Sequence, residues 1–271
     1  MQLKDFAPPI IVKLVGRAKG CRKQYNTYQS ALAMCKNGYN ETDLINVVYE
    51  KTKRYRDSIT LDQPFVSEMA SVRTLIGLGL SLRSNELNVV DFGGACGFHY
   101  FIARQTLGKT IQLRWHVVET ASMVAKAHAL EDGQLRFFDD LQEATSCLGR
   151  VDLIFSSCAI QYVPDPYALL ERLVGCGSKH LFLTRGALSP VAREMICIEK
   201  ARLSDNGPGV MPAGMKEGVS QYPVTYIRKD RLEDILTQRY SIDAIFNEDK
   251  AVRYVAGRAI NMYGHFCSLK E

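Results

Sequence analysis

Two hydrophobic periodicities divide the chain. Up to about residue 86, apolar positions recur every three or four residues, the spacing of amphipathic helices. YNTYQSALAMCKNGY (25–39) and TDLINVVYEKTKRYRD (42–57) read as polar helices. The second has Thr42 as its expected N-cap and Ile45, Val48 and Tyr49 on one face. FVSEMASVRTLIGLGLSL (65–82) is more apolar and predicts a helix packed on a sheet. From residue 87 the period changes. Short apolar runs, LNVVDFGG (87–94), WHVVE (115–119), LRFF (135–138), DLIFSSC (152–158) and KHLFLT (179–184), alternate with the helical stretches YFIARQTL, ASMVAKAHALE, LQEATSCL and DPYALLERLV. Unbroken apolar strands alternating with helices predict right-handed βαβ units and a parallel sheet covered on both faces. Asp165 before Pro166 is a cap followed by proline at the first helical position.

The rhythm breaks after residue 188. SPVAREMICIEKARL reads as a helix, and SDNGPGVMPAGMKEGVSQYP is rich in Gly, Pro and Met. A stretch that long predicts a lid or a binding loop. The chain closes with a helix near RKDRLEDILTQ, then two runs, YSIDAIF and VRYVAGRAINMYGHFC, joined by NEDKA. Those two runs predict an antiparallel hairpin at the sheet edge. The expected division is a basic amphipathic arm (1–24), a helical cap (25–86) and an α/β Rossmann-like domain (87–271) with a lid insertion near 188–226.

Composition narrows the classes. Apolar residues make up 46% and charged residues 23%, with 20 Gly and 9 Pro, which excludes wholesale disorder and low complexity. No apolar run approaches the roughly 20 residues that span a bilayer. The first apolar patch is broken by Pro8 and Pro9 and does not read as a cleaved signal peptide. The 8 Cys include no CxxC pair, so a reduced, cytoplasmic protein without a zinc or other metal site is expected. The net charge of +5 equals that of residues 1–23 alone. The body is neutral overall, unlike a nucleic-acid-binding surface. Phe6, Ile10, Ile11, Leu14 and Val15 fall on one side of a helix begun after Pro9. That basic amphipathic arm suggests peripheral contact with an anionic membrane surface.

The chemistry lies in Val89-Val90-Asp91-Phe92-Gly93-Gly94-Ala95-Cys96-Gly97, a strand that ends in an acid and turns through glycines into a helix. A dinucleotide fingerprint would need glycine at Phe92 and fails. The pattern present, D-x-G-x-A-x-G, resembles the glycine loop of class I S-adenosylmethionine-dependent methyltransferases, with Ala95 where that family usually has glycine. Glu119 ends the second strand 22 residues after Gly97, where a carboxylate can accept bonds from a ribose diol. The resemblance implies S-adenosylmethionine as cofactor. It places Asp91, Gly93, Gly94, Gly97 and Glu119 around it, Asp139 and Asp140 near the adenine, and Ser156 and Ser157 beside the methionine end. Gln161, Tyr162 and Arg185 are expected on the acceptor side, His99 as a base for the acceptor hydroxyl, and Tyr55, Arg56 and Asp57 closing over the methionine end. More narrowly, YRDS (55–58), VVDFGGACG, WHVVE, SSCAIQYVPDP and LTRGAL together resemble a poorly characterised methyltransferase group associated with bacterial surface-polysaccharide and lipopolysaccharide biosynthesis. That implies a sugar or lipid-linked saccharide acceptor. Two alternatives stay open on the residues alone: a non-catalytic S-adenosylmethionine-binding or scaffold protein, and an NAD(P)-dependent oxidoreductase with a divergent loop. The oligomeric state is not set by the sequence.

Overall fold

The computed structural model describes residues 23–36, 38, 41–59, 69–107, 110–255 and 258–271. All of the basic arm except Lys23 and Gln24 lies outside the described residues. Five parallel strands form the centre: β1 (Glu86–Phe92), β2 (Gln112–Val118), β3 (Leu135–Phe138), β4 (Leu153–Ser157) and β5 (His180–Ser189). Their spatial order is β3-β2-β1-β4-β5. The helices run in chain order: α1 (Tyr28–Leu32), α2 (Thr42–Ser58), α3 (Met69–Ser81), α4 (Phe98–Leu107), α5 (Ala121–Ala127), α6 (Leu141–Leu148), α7 (Pro166–Gly175) and α8 (Lys229–Thr237). After β5 come β6 (Met195–Arg202), β7 (Val219–Arg228), β8 (Tyr240–Val255) and β9 (Arg258–Leu269). β9 lies antiparallel beside β5 and β8 beyond it. This is the expected Rossmann-like sheet, mostly parallel, with a late antiparallel hairpin.

Side-chain alternation along the strands builds a core on each face. Leu153 and Phe155 of β4 join Leu44, Val48, Leu78, Trp115 and Phe182 on one side. Ile154 joins Val90, Leu170, Leu173 and Leu236 on the other. The first core draws on α2 and α3, so these helices form a layer of the sandwich. α3 lies close: a Cβ built on Gly77 would meet Phe182 Cδ1 at 2.6 Å. Among the described residues, no helix is long and apolar enough to cross a membrane.

Four local expectations need correction. The run SPVAREMICIEKARL holds a strand, β6, paired from Met195↔Tyr226 to Arg202↔Val219. Buried Met195 and Cys197 alternate with half-buried Ile196 and Ile198, a period that a run this short does not distinguish from a helical one. The long helix over 25–39 contracts to α1, capped by the reciprocal Thr27–Ser30 bonds, and Tyr25 bridges Ile196 instead. Thr42 is the first helical residue, with Glu41 at the cap position. β8 runs through residues 247–251 instead of turning there, and the irregular register between Asn247 and Arg253 absorbs the polar stretch.

The insertion is therefore the β6–β7 hairpin plus the loop 203–218, and that loop is tied down. Lys51 of α2 is 2% exposed, and its ammonium donates to the carbonyls of Ser204 (2.9 Å) and Asn206 (2.6 Å). Lys51→Met should cost about 1–3 kcal/mol and speed amide exchange over residues 203–207. Unchanged exchange there would contradict the anchoring role.

Burial pushes the pKa values of His116, His180 and His265 below the ordinary imidazole range. A histidine depressed in the folded state binds its proton better when unfolded. Its contribution is present above the unfolded pKa, about 6.5, and is lost as the pH falls below that. The urea midpoint should therefore drop between about pH 7 and 5.5. The slope should flatten in His116→Asn, which removes one of the three. A midpoint independent of pH in that window would refute this.

Candidate functional site

β1 hands its chain to one side of the sheet and β4 to the other, so their carboxyl ends open a crevice at the point where strand order reverses. The loop after β1 lies in that crevice. Gly93 (φ +72°) donates its N–H to Val118 O at 2.9 Å, and a Cβ there would stand 2.2 Å from Ala159 Cβ. A Cβ on Gly94 would stand 2.4 Å from Asp91 Oδ2. Gly97 (φ +82°) donates to Gly94 O at 2.9 Å and starts α4. Glycine is required at 93 and 97 by conformation and at 93 and 94 by space.

Asp91 is the floor of the loop, with no exposed surface. Its Oδ2 accepts from the Trp115 indole at 3.2 Å and stands 3.0 Å from His99 Nδ1. Its Oδ1 has no hydrogen-bond partner among the described residues. His99 packs edge-on against Phe155. The structure thus gives His99 Nδ1 to Asp91. Glu119 sits at the end of β2 and grips the same loop: Oε1 accepts from Ala95 N–H at 3.1 Å and Oε2 from Thr120 N–H at 2.9 Å. Asp139 and Asp140 are both exposed at the end of β3. Asp140 caps α6 by accepting from Glu143 N–H at 2.9 Å. Tyr55 stands edge-on to Phe98 with ring centres 4.8 Å apart, covering the start of α4, while Arg56 and Asp57 pair with each other at the surface.

Across the crevice, Ser156 is buried and its hydroxyl has no hydrogen-bond partner among the described residues. It helps line a small, mainly apolar cavity with Leu183, Leu232 and His265. Ser157 is half-buried, in register with Thr184. Gln161 lines the same cavity, is 2% exposed, and its amide donates to Cys158 Sγ (3.1 Å) and Arg185 O (3.3 Å). The Tyr162 hydroxyl donates to Glu199 at 2.7 Å, its ring meets Tyr222, and Tyr28 bonds its carbonyl. α1 and the β6–β7 hairpin therefore brace the segment after β4.

Among the described residues, the non-glycine residues with positive φ are Ala95 (+50°), Cys158 (+59°) and Arg185 (+57°). Ala95 follows β1, Cys158 follows β4, and Arg185 lies within β5 one step past the Ser157↔Thr184 pair, so all three sit beyond the carboxyl ends of β1 and β4 on three adjacent strands. A left-handed residue with a Cβ costs about 1–2 kcal/mol, and such strain concentrates where a site must be shaped. The sequence reading missed Ala95 and Cys158 as strained positions. It also missed Trp115 as a ligand of Asp91, and Glu248 altogether. Trp115 carried a signal, as the sole Trp and in the strand beside β1; Glu248 lies 63 residues from the backbone it holds. Among the described residues, no group of three or more His, Cys, Asp or Glu is arranged to hold a metal ion.

No protein-family model matches this chain, and no curated protein matches it. Solved structures do. An S-adenosylmethionine-dependent methyltransferase from Clostridium acetobutylicum is 9% identical, with 82% of this chain and 98% of that one covered, at a TM-score of 0.49. A chain of the complex between the Haloferax volcanii Trm112 methyltransferase activator and a methyltransferase is 13% identical, with 84% and 97% covered, at 0.49. The glycopeptide N-methyltransferase MtfA, complexed with S-adenosylmethionine, is 12% identical, with 76% and 96% covered, at 0.45.

The close fit of Gly94 over Asp91 yields a direct expectation. Gly94→Ala should lower unfolding stability by about 1–3 kcal/mol, the usual cost of forcing a methyl into a filled site. Gly133, with nothing within 4 Å of a built Cβ, is the control. Equal denaturant midpoints for Gly94→Ala and Gly133→Ala would show that the loop does not rest on the carboxylate.

Proposed function

We propose that this chain transfers a methyl group from S-adenosylmethionine to an oxygen of a sugar or surface-polysaccharide precursor. The observation that carries the reading is the crevice itself: a glycine loop seated on a buried acid, a second acid at the end of β2, and three strained residues on three adjacent strands, beyond the carboxyl ends of β1 and β4. The residues fit such a cofactor. Gly93 and Gly94 have their side-chain space filled from within by Ala159 and Asp91, which leaves bare backbone toward the ligand. Glu119 accepts the ribose hydroxyls while holding Ala95 in its left-handed turn. Asp139 lies at the adenine edge, and Asp140 reaches it only at the expense of its helix cap. Ser157 and the main chain of Ser156 and Cys158 border the methionine end, under the cover of Tyr55 and Phe98.

Bound there, S-adenosylmethionine supplies a methyl group on a positively charged sulfur, which the acceptor oxygen attacks in line. The chain's part is to hold the two reactants in that line and to exclude water, which can supply about 7–11 kcal/mol of the barrier. With Nδ1 on Asp91, His99 serves first as a brace of the loop, and any proton transfer falls to its other ring nitrogen. Tyr162 and Arg185 face the acceptor, and Gln161 acts by fixing the backbone of Arg185.

Isothermal calorimetry on the full chain tests the cofactor. Binding in the micromolar range is expected, with Glu119→Ala weaker by about tenfold or more, the worth of lost bonds to a charged acceptor. Absence of binding at about 1 mM, or an unaffected Glu119→Ala, overturns the reading. Transfer of isotope-labelled methyl to fractionated cell-envelope precursors then tests the acceptor class.

A further inference from the structure

Arg185 sits in a β-bulge. β5 and β9 pair at Leu183↔His265 and again at Gly186↔Tyr263, three steps on one strand against two on the other. The extra residue lets Arg185 adopt φ +57°. Bulges beside functional sites re-aim a side chain, and this one is built from several elements. Glu248 of β8, whose side chain is 6% exposed, accepts from the Thr184 hydroxyl and from Arg185 N–H at 3.0 Å. Arg73 of α3 neutralises it at 2.9 Å. Gly264 of β9 makes room: a Cβ there would stand 2.2 Å from Glu248 Oε1. On the other side, Gln161 donates to Arg185 O at 3.3 Å, and Cys158 N–H to Thr184 O at 3.0 Å.

Residues from β4's loop, α3, β8 and β9 thus fix the main chain of Arg185, yet its guanidinium makes no ion pair or hydrogen bond among the described residues. Glu248, the acid that holds its backbone N–H, is paired with Arg73. A strained, partly buried arginine whose backbone is held on both sides and whose charge is left unspent is a preorganised oxyanion binder. It stands within β5, level with Cys158 just past the end of β4, two strand spacings or about 10 Å from β1, across β4 from the glycine loop.

We infer that Arg185 anchors a carboxylate or phosphate group of the molecule that this crevice acts on. Calling that molecule the methyl acceptor rests on the function proposed above; the anion site itself does not. A guanidinium takes either group in the same two-pronged way, so the shared chemistry is a planar pair of oxygens with negative charge.

Calorimetry on the full chain with glucose 1-phosphate, glucuronate and glucose separates the cases, run with and without saturating S-adenosylhomocysteine. At least one of the two anionic probes should bind about tenfold or more tightly than glucose, the value of a charge-assisted contact. Which one gains tells phosphate from carboxylate. Arg185→Met should erase that gain and Arg185→Lys should keep part of it. Unchanged thermal midpoints should show that both variants fold. The inference is overturned if neither anion outbinds glucose, or if the preference survives in Arg185→Met. Should S-adenosylhomocysteine fail to bind, the methyl-transfer reading falls, while the arms without it still decide the role of Arg185.

Discussion

A carboxylate with no access to water lies under the turn that ends the first strand, and the site is arranged around it. Asp91 can be buried there because Trp115 from the neighbouring strand and His99 from the following helix bring polar hydrogens to one of its oxygens. The loop can lie flat on it because Gly94 has no side chain to hold it off. An unpaired buried charge would be costly, so the acid, its partners and the glycine constrain one another. Glu119 repeats the device from the side, fastening the strained Ala95 to the end of the second strand. Contacts within the chain thus shape the crevice, and such internal support lowers the ordering cost of binding.

The two sides of the crevice are built differently. On the glycine-loop side, contacts are local in sequence, spanning 8 to 24 residues among Asp91, His99, Trp115 and Glu119. On the other side, the bulge of β5 depends on Glu248, Arg73 and Gly264, which come from distant parts of the chain. Short-range patterning shapes the first side; only the closed sheet shapes the second.

That difference accounts for what was legible in the sequence. The strand–acid–glycine pattern and Glu119 could be read because each is a local motif at a strand end, and LRFF and Leu141–Leu148 were placed with correct bounds for the same reason. Asp165 and Pro166 announced their helix through cap chemistry that needs no neighbours. β6 was misread because its apolar half, Met195 to Ile198, satisfies both periods, and pairing with β7 decides between them. The extent of β8 was hidden because its polar stretch resembles a turn, yet it pairs through irregular register. Gly264 alone in a strand was a weak sign of close approach, but its partner Glu248 could not be named without the fold.

Helix α2 carries one more consequence. Lys51 and Tyr55 are four residues apart and so lie on one helical face. The first holds the carbonyls of the insertion, and the second rests on Phe98 where the glycine loop becomes α4. α2 is thus a strut with a fastening at each end of one turn. The insertion after β6 and the loop after β1, more than 100 residues apart in the chain, are mechanically in series through a single turn of helix. The two loops are thereby linked by a path that does not pass through the sheet.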